Sequence, residues 1–145
     1  MPSEKVNEAT RSEWRELGFY YDRDDSLKCW RIFGTREGLL SLAQSIREYA
    51  AAPSSQKVSE HIHFGPYMYL EVGTWTHPEI TDHWIAGPVE ALALLSEAMA
   101  AAVESAEPSA PIHLRQVFAP GAPYELTLTV EPSPYDPARA DPGCW

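Results

Sequence analysis

The chain of 145 residues carries one pattern twice, and this internal repeat constrains its fold more than any other feature. In each copy a short strand ending in glycine leads into a leucine-rich helix and then into two further strands. Gly87 follows Gly34 by 53 residues, and the other equivalent positions differ from that offset only in the loops. A repeat of this period indicates two copies of one supersecondary unit that share a core. The pseudo-repeats span residues 28–74 and 82–130.

Local signals divide each copy into a strand, a helix and two strands. Thr35 is suited to cap a first helix that Pro53 ends, and Pro88 is suited to the first position of a second helix. The apolar residues of both segments recur at helical spacing, so both helices are amphipathic. The predicted fold class is therefore α+β, with two βαββ units in one antiparallel-rich sheet and two helices packed on one face. An extra N-terminal strand, Leu17 to Tyr21, precedes them.

The length fits a single domain with one core, which we assign to residues 12–131. Residues 1–11 are polar and are predicted to be flexible. Residues 132–145 are rich in proline, which removes backbone donors, and are predicted to be a tail without strand or α-helix.

Composition excludes several classes of function. The formal charge of −10 argues against nucleic acid as a partner and favours a basic protein partner, although an acidic surface also serves solubility alone. No apolar run is long enough to span a membrane. The two cysteines, Cys29 and Cys144, fit a reduced cytoplasmic compartment, and neither has the surroundings of a catalytic thiol.

The alternation of side chains along strands predicts which residues are free to bind a partner. If Ile62 and Phe64 face the helices, His61 and His63 point the other way. The same argument predicts that Met68, Leu70 and Val72 are buried. The resulting partner-binding face consists of Arg31, His61, His63, Tyr67, Tyr69, Glu71 and Trp84.

Part of this face also suggests a metal site. His61 and His63 would lie about 6–7 Å apart on one strand face, and Glu71 on the adjoining strand could add a carboxylate. This outline resembles the vicinal oxygen chelate family, whose paired modules enclose a metal bound by His and Glu. That resemblance implies a metal-dependent enzyme that uses a divalent ion. The alternative is that both histidines are surface residues that contact Tyr67 and Tyr69.

A second resemblance concerns the first repeat as a whole. Residues 28–74, with Glu60-His61-Ile62-His63-Phe64 and Tyr69-Leu70-Glu71-Val72, resemble the immunity protein 32 family of bacterial polymorphic toxin systems. The resemblance implies a cytoplasmic, non-enzymatic protein without a cofactor that binds and neutralises a cognate toxin. A third possibility is a domain that forms a homodimer through its free sheet face.

Overall fold

Both repeats fold as ββαββ units in the computed structural model, which describes residues 3–145. Helix α1 (Glu4–Leu17) precedes the first unit, which comprises β1 (Phe19–Asp24), β2 (Cys29–Gly34), α2 (Arg36–Ala51), β3 (His61–Phe64) and β4 (Leu70–Thr74). The second unit comprises β5 (Glu79–Ile80), β6 (Ile85–Gly87), α3 (Val89–Ser105), β7 (Ile112–His113), the short α4 (Arg115–Phe118) and β8 (Glu125–Val130). Three 3₁₀ turns complete the chain, at Pro53–Gln56, Pro137–Ala140 and Pro142–Cys144.

The two units exchange strands to form two four-stranded sheets. Sheet A has the order β1-β2-β8-β7 and sheet B the order β3-β4-β6-β5, so each sheet takes one hairpin from each unit. The hairpins are antiparallel, whereas the pairs that join the units, β2 with β8 and β4 with β6, are parallel. The register repeats as well, because Gly34 lies opposite Val130 in sheet A and Gly87 lies opposite Thr74 in sheet B.

The predicted α+β class is confirmed, and each predicted βαββ unit is present with one further strand before it. The structure has two mixed sheets where the sequence predicted one antiparallel-rich sheet. The alternation of apolar residues fixes which face of a strand is buried. It does not fix the neighbouring strand, since the backbone groups that pair strands are the same in every residue.

The core lies between the sheets and the two long helices, which pack against each other. The predicted apolar faces are fully buried, including Leu39, Leu42 and Ile46 on α2. Each such side chain contributes about 1.5–3 kcal/mol by leaving water. As predicted, Thr35 caps α2, because its hydroxyl oxygen accepts a hydrogen bond from Gly38 N at 2.9 Å.

Both ends of the chain differ from the prediction. Where residues 1–11 were expected to be flexible, a helix runs from Glu4 and ends at Gly18, which has a left-handed φ of 80°. The predicted strand from Leu17 therefore begins only at Phe19. Met1 and Pro2 lie outside the described residues.

The proline-rich segment 132–145 folds back onto α1 and buries Ala138 and Cys144. Proline stops a long helix but suits the first position of a short turn. The side chains of Asp136 and Asp141 accept hydrogen bonds from the backbone of the two 3₁₀ turns and so cap them. The expected tail is thus an ordered part of the domain.

Candidate functional site

The outer face of β3 and β4 carries the histidines and the glutamate that the alternation of side chains predicted. His61 and His63 are exposed, whereas Ile62 and Phe64, which alternate with them, are partly buried. In the register of the hairpin His63 lies directly opposite Glu71. Leu70 and Val72 are buried, as predicted.

Four side chains form a cluster on this face, which we call the His–Glu cluster: His61, His63, Glu71 and His83. Glu71 lies between two imidazoles, with Oε1 at 3.6 Å from His63 Nδ1 and Oε2 at 3.4 Å from His83 Nε2. The rings of His61 and His63 meet edge to face, with their centroids 4.9 Å apart. The three residues predicted as metal ligands are thus brought together, and His83 joins them from the turn before β6.

Trp84 lies on the same outer face but is only 8% exposed. Its ring covers Gly73, where a Cβ atom would lie 2.6 Å from the indole. The indole Nε1 donates a hydrogen bond to Glu79 Oε2 at 2.7 Å, and Trp75 packs edge to face against the ring. Trp84 therefore packs within this face, and little of its side chain is accessible to a partner.

Arg31 lies apart from the cluster, in sheet A. Its guanidinium donates two hydrogen bonds to the Asp22 carboxylate, at 2.8 and 2.7 Å. These bonds raise the pKa of Arg31 above its usual value. Arg31, which was predicted to bind a partner, is therefore already paired with a carboxylate of the neighbouring strand.

The loop between β3 and β4 presents three consecutive apolar side chains, and we call it the tyrosine loop (Tyr67-Met68-Tyr69). Their exposed fractions are 41%, 59% and 68%. The prediction that Met68 is buried is wrong, because its φ of 58° interrupts the alternation of the strand. Three adjacent exposed apolar residues form a contiguous patch. Such patches mark interaction sites, whereas single exposed apolar residues are common on any protein surface.

A cavity of about 430 Å³ opens beside this loop. Its lining is mainly aromatic and also includes Asp22, which accepts hydrogen bonds from Arg31, and Arg23, which donates to Asp25. The lining consists of Trp14, Tyr20, Tyr21, Asp22, Arg23, Trp30, Tyr67 and Tyr69. Trp14 was missed because segment 1–11 and the residues after it were not recognised as a helix. The signal was present, since Ser3 can cap a helix and Gly18 can end one.

Tyr67 and Tyr69 are held in place by residues far away in sequence. The Tyr67 hydroxyl donates to Asp141 Oδ2 at 2.6 Å, and burial and the Asp141 carboxylate together raise the pKa of Tyr67. Tyr69 N donates to the Tyr21 hydroxyl at 3.1 Å. The two phenol rings stack with centroids 5.7 Å apart. The loop is therefore preorganised although it is exposed.

The fold and this site define a small α+β protein with an exposed aromatic patch that internal hydrogen bonds hold in place. The family model described as Immunity protein 32 matches residues 30–83, the part that extends from β2 to the turn after β5 and carries the tyrosine loop and the His–Glu cluster. The resemblance predicted from residues 28–74 is confirmed. The match supports an immunity-protein role in general, implies a protein partner and suggests a protein without catalysis.

No curated protein and no solved structure matches the chain. Among residues 3–145, each helix is too short or too polar to cross a membrane.

Proposed function

We propose that the chain is a non-enzymatic immunity protein that binds and neutralises a cognate toxin through the tyrosine loop and the adjoining outer face of sheet B. The observation that carries this proposal is the run of three exposed apolar side chains inside the matched region. Tyrosine is among the residues that contribute most to protein interfaces, because it adds a large contact area at a small cost in side-chain entropy.

The structure of the loop supports this role. The Tyr21 hydroxyl donates to Phe64 O at 2.5 Å and accepts from Tyr69 N, so it joins the two ends of the loop. Gly65, with a φ of 85°, lies directly under the Tyr21 ring. A loop fixed in this way loses little conformational entropy on binding, which favours high affinity.

We propose a toxin whose docking surface is basic, since the formal charge of this chain is −10. Charge of opposite sign accelerates the encounter of two proteins. The cavity beside the tyrosine loop would receive one large side chain of the toxin. An arginine fits its aromatic lining, because a guanidinium stacks on tyrosine and tryptophan rings. We place this interaction in the cytoplasm, where Cys29 and Cys144 would remain the free thiols that they are in the structure.

The test is to coexpress the full chain with toxin domains encoded beside its gene and to measure rescue of growth and the Kd of the complex. We expect Tyr69→Ala to weaken binding by about 30-fold, which corresponds to about 2 kcal/mol. Leu94→Ala is the matched control, since Leu94 is 65% exposed but lies on α3, and it should leave the Kd unchanged. Equal affinities of the two variants would contradict the proposed surface, and lack of any neutralised toxin would contradict the function.

The homodimer and the metal-dependent enzyme of the vicinal oxygen chelate type stay predictions. A homodimer through the tyrosine loop would compete with the toxin for the same surface. The mass of the free protein in solution distinguishes the two, because a stable dimer that Tyr69→Ala dissociates would assign the loop to self-association.

A further inference from the structure

We infer that the His–Glu cluster binds one divalent transition-metal ion of the zinc class through His61, His63 and Glu71. Each of these residues offers one potential ligand atom, and these atoms all lie within 4.8 Å of one another. All three side chains reach solvent, and they would converge on one ion by rotation about their side-chain bonds.

The hydrogen bonds of the two histidines favour coordination. His61 Nδ1 lies 2.9 Å from the carbonyl oxygen of Ser59, and His63 Nδ1 lies 3.0 Å from that of Met68. A carbonyl oxygen only accepts hydrogen bonds, so each Nδ1 carries the proton in the neutral ring. The lone pair is then on Nε2 in both residues. Glu71 Oε1 lies 3.6 Å from His63 Nδ1, so the Glu71 carboxylate must move from Nδ1 towards Nε2 when the ion binds. A backbone carbonyl that holds the other ring nitrogen is a common arrangement for histidines that bind metals.

The chemistry of the donors selects the type of ion. Two imidazole nitrogens and one carboxylate oxygen suit zinc, cobalt or nickel, whereas calcium and magnesium prefer sets of oxygen ligands. Three protein ligands leave one position of a tetrahedral site for water or for a group from a partner. Glu71 is already oriented, since its second oxygen faces His83.

The second repeat shows what distinguishes this site. In the register of the hairpins His113 takes the place of His63, and Thr127 takes the place of Glu71. Pro111 stands where the first repeat has His61. His113 keeps a carboxylate neighbour, Glu125 Oε2, at 3.7 Å. His113 is therefore an exposed histidine beside a glutamate without the rest of the ligand set, and it serves as an internal control.

The test uses the full chain without a histidine tag, freed of metal with a chelator. Zn²⁺ is titrated by calorimetry, and Co²⁺ is used as a spectroscopic probe of the ligands. We expect one equivalent of metal per chain and visible Co²⁺ bands typical of nitrogen and oxygen ligands. His61→Ala, His63→Ala and Glu71→Gln should each weaken Zn²⁺ binding by at least about tenfold and abolish the Co²⁺ bands.

His113→Ala should bind Zn²⁺ like the unchanged protein. Circular dichroism checks that each variant is folded, which we expect because the substituted side chains are exposed or half-buried. Lack of saturable binding, or an equal effect of His63→Ala and His113→Ala, would overturn the inference. The result does not depend on the toxin, so this site and the proposed function can fail separately.

Discussion

At the scale of single residues, the tightest constraint lies where α1 ends and α2 begins. A Cβ atom on Gly38 would lie 2.5 Å from the carbonyl carbon of Gly18 and 2.9 Å from its Cα. Both are backbone atoms, so no rotation of a side chain could relieve the clash. Gly38 is thus required where alanine would otherwise favour the helix by about 1 kcal/mol.

We expect Gly38→Ala to lower the free energy of unfolding by about 2 kcal/mol, as overpacking of a core does. Gly121→Ala is the control, because no atom lies within 4 Å of a Cβ at that position. Urea denaturation of both variants gives the measurement. A Gly38→Ala protein as stable as the control would show that the two helices can separate without cost.

Asp141 is the residue that ties the C-terminal segment to the site. It is 6% exposed, and its Oδ2 accepts hydrogen bonds from both Trp14 Nε1, at 2.9 Å, and the Tyr67 hydroxyl. Asp141→Ala would leave these two donors without their acceptor. We expect a loss of about 2–4 kcal/mol in the free energy of unfolding.

The exposed Asp82 provides the comparison for Asp141, since within residues 3–145 its backbone carbonyl accepts a hydrogen bond from Arg23 and its side chain accepts none. Asp82→Ala should unfold at the urea concentration of the unchanged protein. If Asp141→Ala did the same, its carboxylate would not hold the tyrosine loop, and the loop would not be preorganised by this contact.

The residues of the site were predictable to different degrees, for physical reasons. His61, His63 and Glu71 follow from alternation within one hairpin, which is a local property of the sequence. Met68 could not be placed in this way, because one residue with positive φ reverses the alternation. Asp141 could not be found at all, since it is 127 residues from Trp14 and no local pattern specifies such a contact.

At the scale of elements, the exchange of strands between the repeats determines the fold. Strands β2 and β4 of the first unit each pair in parallel with a strand of the second unit, β2 with β8 and β4 with β6. The sequence indicated the strand, the long helix and the two further strands of each repeat because caps and periodicity are local, but it did not indicate β5 or α4. The pairing of β2 with β8 joins residues about 96 positions apart in the chain, as in the register of Trp30 with Leu126, and has no local signal.

This exchange predicts how the chain behaves when it is divided between the units. Fragments 1–76 and 77–145 separate at an exposed turn between β4 and β5. We expect each fragment alone to lack dispersed amide resonances, because its sheets would have open edges and half a core. Mixing the two should restore the native spectrum.

The second fragment with Leu128→Asp is the control, since Leu128 is fully buried in β8. A charge at this position cannot be accommodated in the core, so this fragment should not complement the first. A fragment 1–76 that folds by itself would contradict the exchange and would favour two independent units.

At the scale of the whole molecule, buried tyrosines in the core and beside the site make the stability of the fold depend on pH. Burial is the main cause that raises the pKa of five of them above the ordinary value near 10: Tyr20, Tyr21, Tyr49, Tyr67 and Tyr135. The folded chain therefore holds phenolic protons more tightly than the unfolded chain. This part of the stability is fully present below about pH 10 and is lost as the pH rises further.

We expect the urea midpoint to fall as the pH is raised from 9 to 11, and the absorbance of tyrosinate in the folded protein to rise later than in the denatured chain. Tyr135→Phe tests the assignment, because within residues 3–145 the Tyr135 hydroxyl is buried without a hydrogen-bond partner. Removal of that hydroxyl should raise the free energy of unfolding at pH 7 by about 1 kcal/mol, the cost of an unsatisfied polar group. It should also remove one of the tyrosines that ionise only at high pH in the folded protein. Superimposable titrations of the folded and denatured protein would show instead that solvent reaches these phenols throughout the fold.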